Sequence, residues 1–274
     1  MKQRLVRILR DAKLLPVADL ARFWAVQAKS ARSNRAFLRE HPGSVVPPRF
    51  LMYDAYAHVD YRVYFRKGRA NAEYIARTAR RHLGGDGPIT VCEWGCGPAR
   101  IIRHLPELLP AGSRVFGTDY NAQTIAWCSA SLPQVTFRLN GLAPPLPFAD
   151  GELDMLYAIS VLTHLSEEMH LGWMAECERV VRPGGLILLT VHGDHCVAGL
   201  SAQERATYEA GRLVVRGKVK EGSRTFVAFQ GPRFMREVLL RNVDLLAHNP
   251  PDAPQLAGPQ DVYLVRTRGA PRFH

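Results

Sequence analysis

Between residues 88 and 195, short apolar runs alternate with helical segments, and this rhythm constrains the fold more than any other feature of the chain. "ITVCEW" (89–94), "RVFGTD" (114–119), "VTFRL" (135–139), "LDMLYAIS" (153–160) and "LILLTV" (186–191) read as buried strands. "ARIIRHLPELL", "AQTIAWCSASL" and "SEEMHLGWMAECERVV" carry helical spacing between them, whereas "GLAPPLPFADGE" reads as a loop and "RPGG" as a turn. Such alternation predicts an α/β architecture: a doubly wound, mostly parallel sheet covered by helices on both faces. After Gly199 the pattern loosens. A helix in "GPRFMREVLLRN" and two late strands, "VDLLAH" and "QDVYLVRTR", are expected, the strands forming a hairpin across the long loop "NPPDAPQLAGP". That hairpin adds a late antiparallel strand.

The front of the chain is different in kind. Leu5, Ile8, Leu9 and Ala12 recur at helical spacing, and Leu20, Phe23, Trp24 and Gln27 do so beyond Pro16. "HPGSVVPPRF" (41–50) breaks any helix and is the best linker candidate. An aromatic, basic stretch follows from Tyr53, and then a helix through "RANAEYIARTARRHL" that "GGDG" terminates. The expected division is a basic helical cap or extension over 1–81 and a catalytic-type domain over 82–274. Charge follows the same division. Residues 1–81 hold 18 Lys and Arg against 6 Asp and Glu, residues 82–200 hold 6 against 12, and residues 201–274 hold 12 against 7. A uniformly basic nucleic-acid binder would not be divided in this way, so nucleic acid is not the expected partner. A basic front suits an anionic partner or a membrane surface, or is simply a solvated Arg-rich face. No apolar run reaches the ~18 residues of a membrane span. The start of the chain lacks the pattern of a secretory signal, and five cysteines without a CxxC pair suit reduced thiols, so a cytoplasmic protein is expected.

The chemistry concentrates at "VCEWGCGPAR" (91–100), where a strand ends in an acidic residue and a tight glycine turn follows. In doubly wound sheets ligands sit outside the carboxyl ends of the strands. A lone Gly-x-Gly is weak evidence for a dinucleotide, and Ala99 stands near the place of a third glycine. Glu93 weighs further against a pyrophosphate, since two anions repel at close range. A carboxylate there suits a ligand with a positive charge, or with amino and hydroxyl donors. Asp119, 24 residues beyond Gly95, lies at about the spacing at which such sheets place a carboxylate on ribose hydroxyls.

Taken in order, "VCEWGCGPARIIRHL", "VFGTDYNAQTIAWC", "LPFADGELDMLYAISVLTHL" and "ECERVVRPGGLILLTVHG" resemble the class I S-adenosylmethionine-dependent methyltransferases of bacterial small-molecule type, which have a Rossmann-like fold. The resemblance covers about half the chain and hardly touches residues 1–81. It implies S-adenosylmethionine as cofactor. Glu93 and the turn Gly95, Cys96, Gly97 would lie under its amino-acid end, Asp119 would hold the ribose with Tyr120 beside the adenine, and Ser160 would approach the methionine part. Asn140 and Gly141 would border the adenine, although Asn140 also reads as a plain turn residue.

For a hydroxyl acceptor a general base helps to remove the proton, and histidines suit the task. His192 and His195 in "TVHGDHC" and His164 in "SVLTHL" are the candidates, each with a structural alternative: His192 as a turn residue bonded to Asp194, His164 as a common family stretch. "HGDHC" is not a known metal-ligand spacing, so no metal is expected. The aromatic blocks at 53–65 and 226–234 read as packing faces or as caps over an acceptor pocket. The expected function is methylation, at oxygen, of a small molecule or glycan. The competing readings are an RNA or protein methyltransferase, a non-catalytic S-adenosylmethionine-binding regulator, and a nicotinamide-dependent oxidoreductase.

Overall fold

A computed structural model describes residues 15–217, 219–253, 256 and 258–268. Leu5, Ile8, Leu9 and Ala12 lie outside the described residues. The described chain opens with α1 (Leu15–Glu40). The stretch 41–48 is irregular; α2 (Arg49–Tyr56) follows and ends at Ala57, whose left-handed backbone caps it. Then comes α3 (Tyr61–Leu83), with Asp60 accepting the Val63 N–H as N-cap. The aromatic block divides between these two helices. Tyr53, Tyr61 and Tyr64 are buried with Phe37, Met52 and Val59 in one apolar cluster that joins α1, α2 and the start of α3.

Seven strands form the main sheet: β1 (Thr90–Trp94), β2 (Arg114–Asp119), β3 (Thr136–Leu139), β4 (Leu153–Ile159), β5 (Val181–Val191), and the late pair Val243–His248 and Asp261–Thr267, which we number β8 and β9 after the short strands β6 (Val214–Arg216) and β7 (Val227–Phe229). Their order is β3-β2-β1-β4-β5-β9-β8, parallel through the first five, with β9 antiparallel to β5 and β8 antiparallel to β9. The expected hairpin is therefore the sheet's antiparallel edge. Side chains alternate across the strands. Val91, Val115, Met155, Tyr157, Leu186 and Leu188 face the layer that contains α3 and α4 (Ala122–Ser131), while Cys92, Phe116, Leu156, Ala158, Ile187 and Leu189 face the layer that contains α5 (Glu167–Val180). The order in which strands are added reverses between the parallel neighbours β1 and β4, and the crevice outside their carboxyl ends is where such a sheet opens to a ligand.

Four local expectations differ from what forms. "ARIIRHLPELL" is a set of turns and a 3₁₀ helix (Ile102–Glu107) rather than an α-helix, because Pro106 lies inside it and the Glu93 carboxylate takes the Ile102 N–H. β5 begins at Val181 and includes "RPGG", with a register irregularity opposite Leu153 and Met155. The C-terminal helix shrinks to an α turn (Pro232–Phe234) that runs into a π turn (Met235–Leu239). β6 and β7 pair in a two-stranded sheet that local patterning did not signal.

Helix α3 is held close to the glycine turn. Tyr64 Oη donates to the Pro98 carbonyl at 2.6 Å, and a Cβ on Gly68 would stand 2.0 Å from the Arg100 carbonyl oxygen. Gly68→Ala should therefore overpack this contact by roughly 1–3 kcal/mol and lower the melting temperature by about 3 °C or more. Thermal unfolding followed by circular dichroism checks this, and an unchanged melting temperature would mean that α3 and the turn are not in register contact.

Candidate functional site

The site begins with the turn itself. Gly95 and Cys96 both donate their N–H to the Thr118 carbonyl at 2.8 and 2.9 Å, and Gly97 donates to Asp119 Oδ2 at 2.9 Å. Gly95 has φ +71° and Gly97 φ +50°, conformations in which a side chain is strained, and a Cβ on Gly95 would lie 2.4 Å from Val161 Cγ2. The turn thus clamps the carboxyl ends of β1 and β2 together. No α-helix N-terminus follows it, so the device that favours phosphate at such turns is missing here.

Two buried carboxylates flank the turn. Glu93 Oε2 accepts from Tyr157 Oη at 3.0 Å and from the Ile102 N–H at 3.1 Å. Burial raises its pKa to about 8 in spite of these donors and of the nearby Arg100. Asp119 accepts on both oxygens, from Gly97 N–H and from Asn121 N–H at 2.8 Å, and burial raises its pKa as well. Both carboxyls face a cavity of about 580 Å³. Its wall also includes Gly95, Cys96, Gly97, Tyr120, Asn140 and Gly141, and, from the β4 side, Ser160 and His164. Ten sequence-predicted positions are thus brought to one concavity, from four loops.

Ser160 and His164 are held in different ways. Ser160 has φ +65°, strained for a residue with a Cβ. Its N–H donates to Thr190 Oγ1 at 2.8 Å, and its hydroxyl meets Thr163 Oγ1 at 2.9 Å and accepts from Gln260 Nε2 at 2.8 Å. His164 Nδ1 lies 2.8 Å from the Phe226 carbonyl. A carbonyl only accepts, so Nδ1 carries the proton and Nε2 keeps the lone pair. Burial lowers the His164 pKa, which leaves the ring neutral at pH 7.

His192 and His195 do not line this cavity. His192 Nδ1 bonds the Ala228 carbonyl at 3.1 Å and burial pushes its pKa down to about 4, whereas His195 bonds the buried Asp261 carboxylate at 2.8 Å. Asp194, a sequence-level partner for His192, accepts from Tyr208 Oη instead. Among the described residues no group of three or more His, Cys, Asp or Glu side chains is placed to hold a metal ion.

The cavity also has lining that sequence reasoning missed. Arg22 of α1, Asp54 of α2, His58, Lys67 of α3, Arg100 and Arg224 all reach it. Arg100 follows the glycine turn directly, and that adjacency was a usable signal; the others come from segments 30 to 130 residues away and left none. Three polar atoms here are buried without a protein partner: Arg100 Nε, His58 Nε2 and Asn140 Oδ1. His58 Nδ1 accepts from the Asp60 N–H at 3.3 Å, so Nε2 is a donor. Residues 219–226 close the remaining side. Gly222 N–H donates to the His164 carbonyl, Tyr120 Oη donates to the Gly222 carbonyl, and Arg224 pairs with Asp19 of α1 over the Tyr53 ring.

A doubly wound sheet with carboxylates at its switch point, and with acceptors and donors left over in the crevice, suits a ligand that bears hydroxyl donors and a positive charge. The comparisons with known proteins narrow this. A family model described as a methyltransferase domain matches residues 92–189. A Mycolicibacterium smegmatis protein named "probable S-adenosylmethionine-dependent methyltransferase" is 32% identical over 136 residues, 50% of this chain and 45% of that protein. An uncharacterized methyltransferase of Synechocystis is 28% identical over 94 residues, 34% of this chain and 42% of its own. The matched region thus spans less than half of each of these curated relatives. Among solved structures, the 1,6-didemethyltoxoflavin-N1-methyltransferase of Burkholderia thailandensis, holding 1,6-didemethyltoxoflavin and S-adenosylhomocysteine, superposes with a TM-score of 0.51 at 15% identity over 82% of this chain and 92% of that one. A methyltransferase of Methanosarcina mazei does so with a TM-score of 0.50 at 15% identity over 69% and 97%. At that identity the likeness is one of fold. Residues 92–189 thus form a methyltransferase domain of the class I S-adenosylmethionine-dependent kind, whose cofactor is S-adenosylmethionine.

Proposed function

We propose that this chain binds S-adenosylmethionine in the cavity and transfers its methyl group to an oxygen of a small molecule or glycan. The observation that carries the reading is the convergence of Glu93, Asp119, Asn140, Ser160 and His164 on one wall system, with three buried polar atoms left unpartnered inside it. The residues present suit the cofactor. Asp119 would hold the ribose hydroxyls, and the unpartnered Asn140 Oδ1 would accept a hydrogen bond from the adenine amino group. Glu93 would offset the positive charge of the amino-acid end, and Arg100, Lys67 and His58 Nε2–H would hold its carboxylate. The bound cofactor supplies an electrophilic methyl group on a sulfonium. The chain supplies alignment, which is most of the catalysis in an in-line displacement. His164 Nε2 takes the acceptor's hydroxyl proton, and the Phe226 carbonyl holds that ring in the required tautomer. Residues 1–81 act as a cap that completes the acceptor side through Arg22, Leu51, Asp54 and Tyr56.

Calorimetric titration with S-adenosylhomocysteine tests the cofactor assignment. Micromolar binding is expected, weakened at least tenfold, about 1.4 kcal/mol, by Asp119→Ala. A folded wild-type protein, free of carried-over ligand, that does not bind S-adenosylhomocysteine would sink the reading. An acceptor whose affinity falls steeply with salt would move it toward RNA.

A further inference from the structure

The outward face of α1 is a feature of the described residues that the cavity does not use. Phe23, Val26 and Phe37 point from this helix into the cluster formed with α2 and α3. Val17, Leu20 and Trp24 stand at helical spacing on another face and are 68%, 57% and 59% exposed, and Leu38 extends the same line at 36%. Beside this apolar line at helical spacing run Arg32, Arg35 and Arg39, all exposed. None of these three is in an ion pair among the described residues, while both acids of the helix are taken, Asp19 by Arg224 and Glu40 by Arg62. The helix is therefore apolar toward its own fold, apolar along a second, open line, and cationic beside it.

We infer that this face docks on an anionic lipid bilayer, with Val17, Leu20 and Trp24 entering the headgroup boundary and the arginines lying over lipid phosphates. An amphipathic surface helix with basic residues on its polar side and a tryptophan on its apolar one binds in this way, the cations adding electrostatic attraction to anionic headgroups. A second copy of the chain is a poorer occupant, because pairing the same face across a two-fold axis sets one row of unpaired cations near the other. Nucleic acid would use the cations and leave three large apolar side chains in water. The proposal is independent of the chemistry in the cavity. No helix among the described residues is long and apolar enough to cross a membrane, so attachment is to the surface.

The experiment is co-sedimentation of the full chain with vesicles of phosphatidylcholine alone and of phosphatidylcholine mixed with phosphatidylglycerol, at low and high salt. Partitioning into the anionic vesicles at low salt is expected, at least tenfold above that into the neutral ones and reduced by added salt. Leu20→Asp should lower it at least tenfold while far-ultraviolet circular dichroism and S-adenosylhomocysteine affinity stay unchanged. Trp94 and Trp173 are buried and Trp127 is partly buried against the core, so a blue shift of tryptophan emission on adding vesicles should come chiefly from Trp24 and be largely lost in Trp24→Phe, which still binds. Absence of partitioning at low salt would overturn the proposal. So would equal partitioning of Leu20→Asp, or a dimer in sedimentation equilibrium that Leu20→Asp dissolves without any vesicle binding.

Discussion

His164→Asn should lower turnover by about 10²–10⁴-fold, the usual worth of a positioned general base, and leave S-adenosylhomocysteine affinity within about twofold. Asparagine is the informative replacement because its amide N–H can still donate toward the Phe226 carbonyl, so the loop at 226 keeps its anchor while the Nε2 lone pair is removed. The pH profile has a definite sign. The base is active when neutral, and burial holds its pKa below the ordinary 6.5, so kcat/KM should rise through a limb below pH 6.5 and be flat with respect to this group above it. Acid should also destabilise the fold through the same ring: its stabilisation is complete above the unfolded value of 6.5 and is lost as pH falls toward the lower folded one. The measurement is steady-state turnover of the wild type and variant on an acceptor found by screening. A drop of less than threefold would remove His164 from proton transfer.

Glu93→Gln should weaken S-adenosylmethionine binding by at least tenfold and yet stabilise the unliganded protein at alkaline pH. The two effects have one cause. Glu93 has a folded pKa of about 8, raised chiefly by burial, against about 4.5 in the unfolded chain. The unfolded state therefore binds fewer protons between those values, and stability declines as pH rises from 4.5 toward 8. Glutamine cannot ionise, so the variant escapes this decline, and its melting temperature at pH 8–9 should exceed that of the wild type, by roughly 2–4 °C per kcal/mol. A cationic ligand favours the ionised carboxyl, so binding at pH 7 should release a proton from the wild type. Calorimetry in buffers of different ionisation enthalpy reads that release directly, and Glu93→Gln should reduce it by up to one proton. Equal proton release from the two proteins would separate Glu93 from the ligand's charge.

Much of the fold was readable because it rests on local periodicity. Runs such as "LDMLYAIS" and "LILLTV" are too apolar for anything but a strand buried on both faces, and their alternation with helices leaves few topologies. The failures were also local in cause: Pro106 and the pull of Glu93 on Ile102 N–H replaced an expected helix with 3₁₀ turns, and the π turn at 235–239 has no sequence signature. The cofactor-side positions were legible because each follows a strand's carboxyl end, where a parallel sheet gathers its loops. Choosing among the histidines was not, since His164, His192 and His195 all follow strands in the chain. Only the packing of β7 and the 219–226 segment decides that His164 Nδ1 meets the Phe226 carbonyl at the cavity wall while His192 turns to Ala228 and His195 to Asp261.

The sequence by itself determined the sheet, its switch point and the pair of carboxylates that set the ligand's charge, because strand period, glycine conformation and strand-end chemistry are properties of contiguous residues. Only the tertiary structure decided what closes the cavity. Arg22, Asp54, His58 and Arg224 reach it from helices and a loop far apart in the chain, and packing alone determines which distant side chains share a wall.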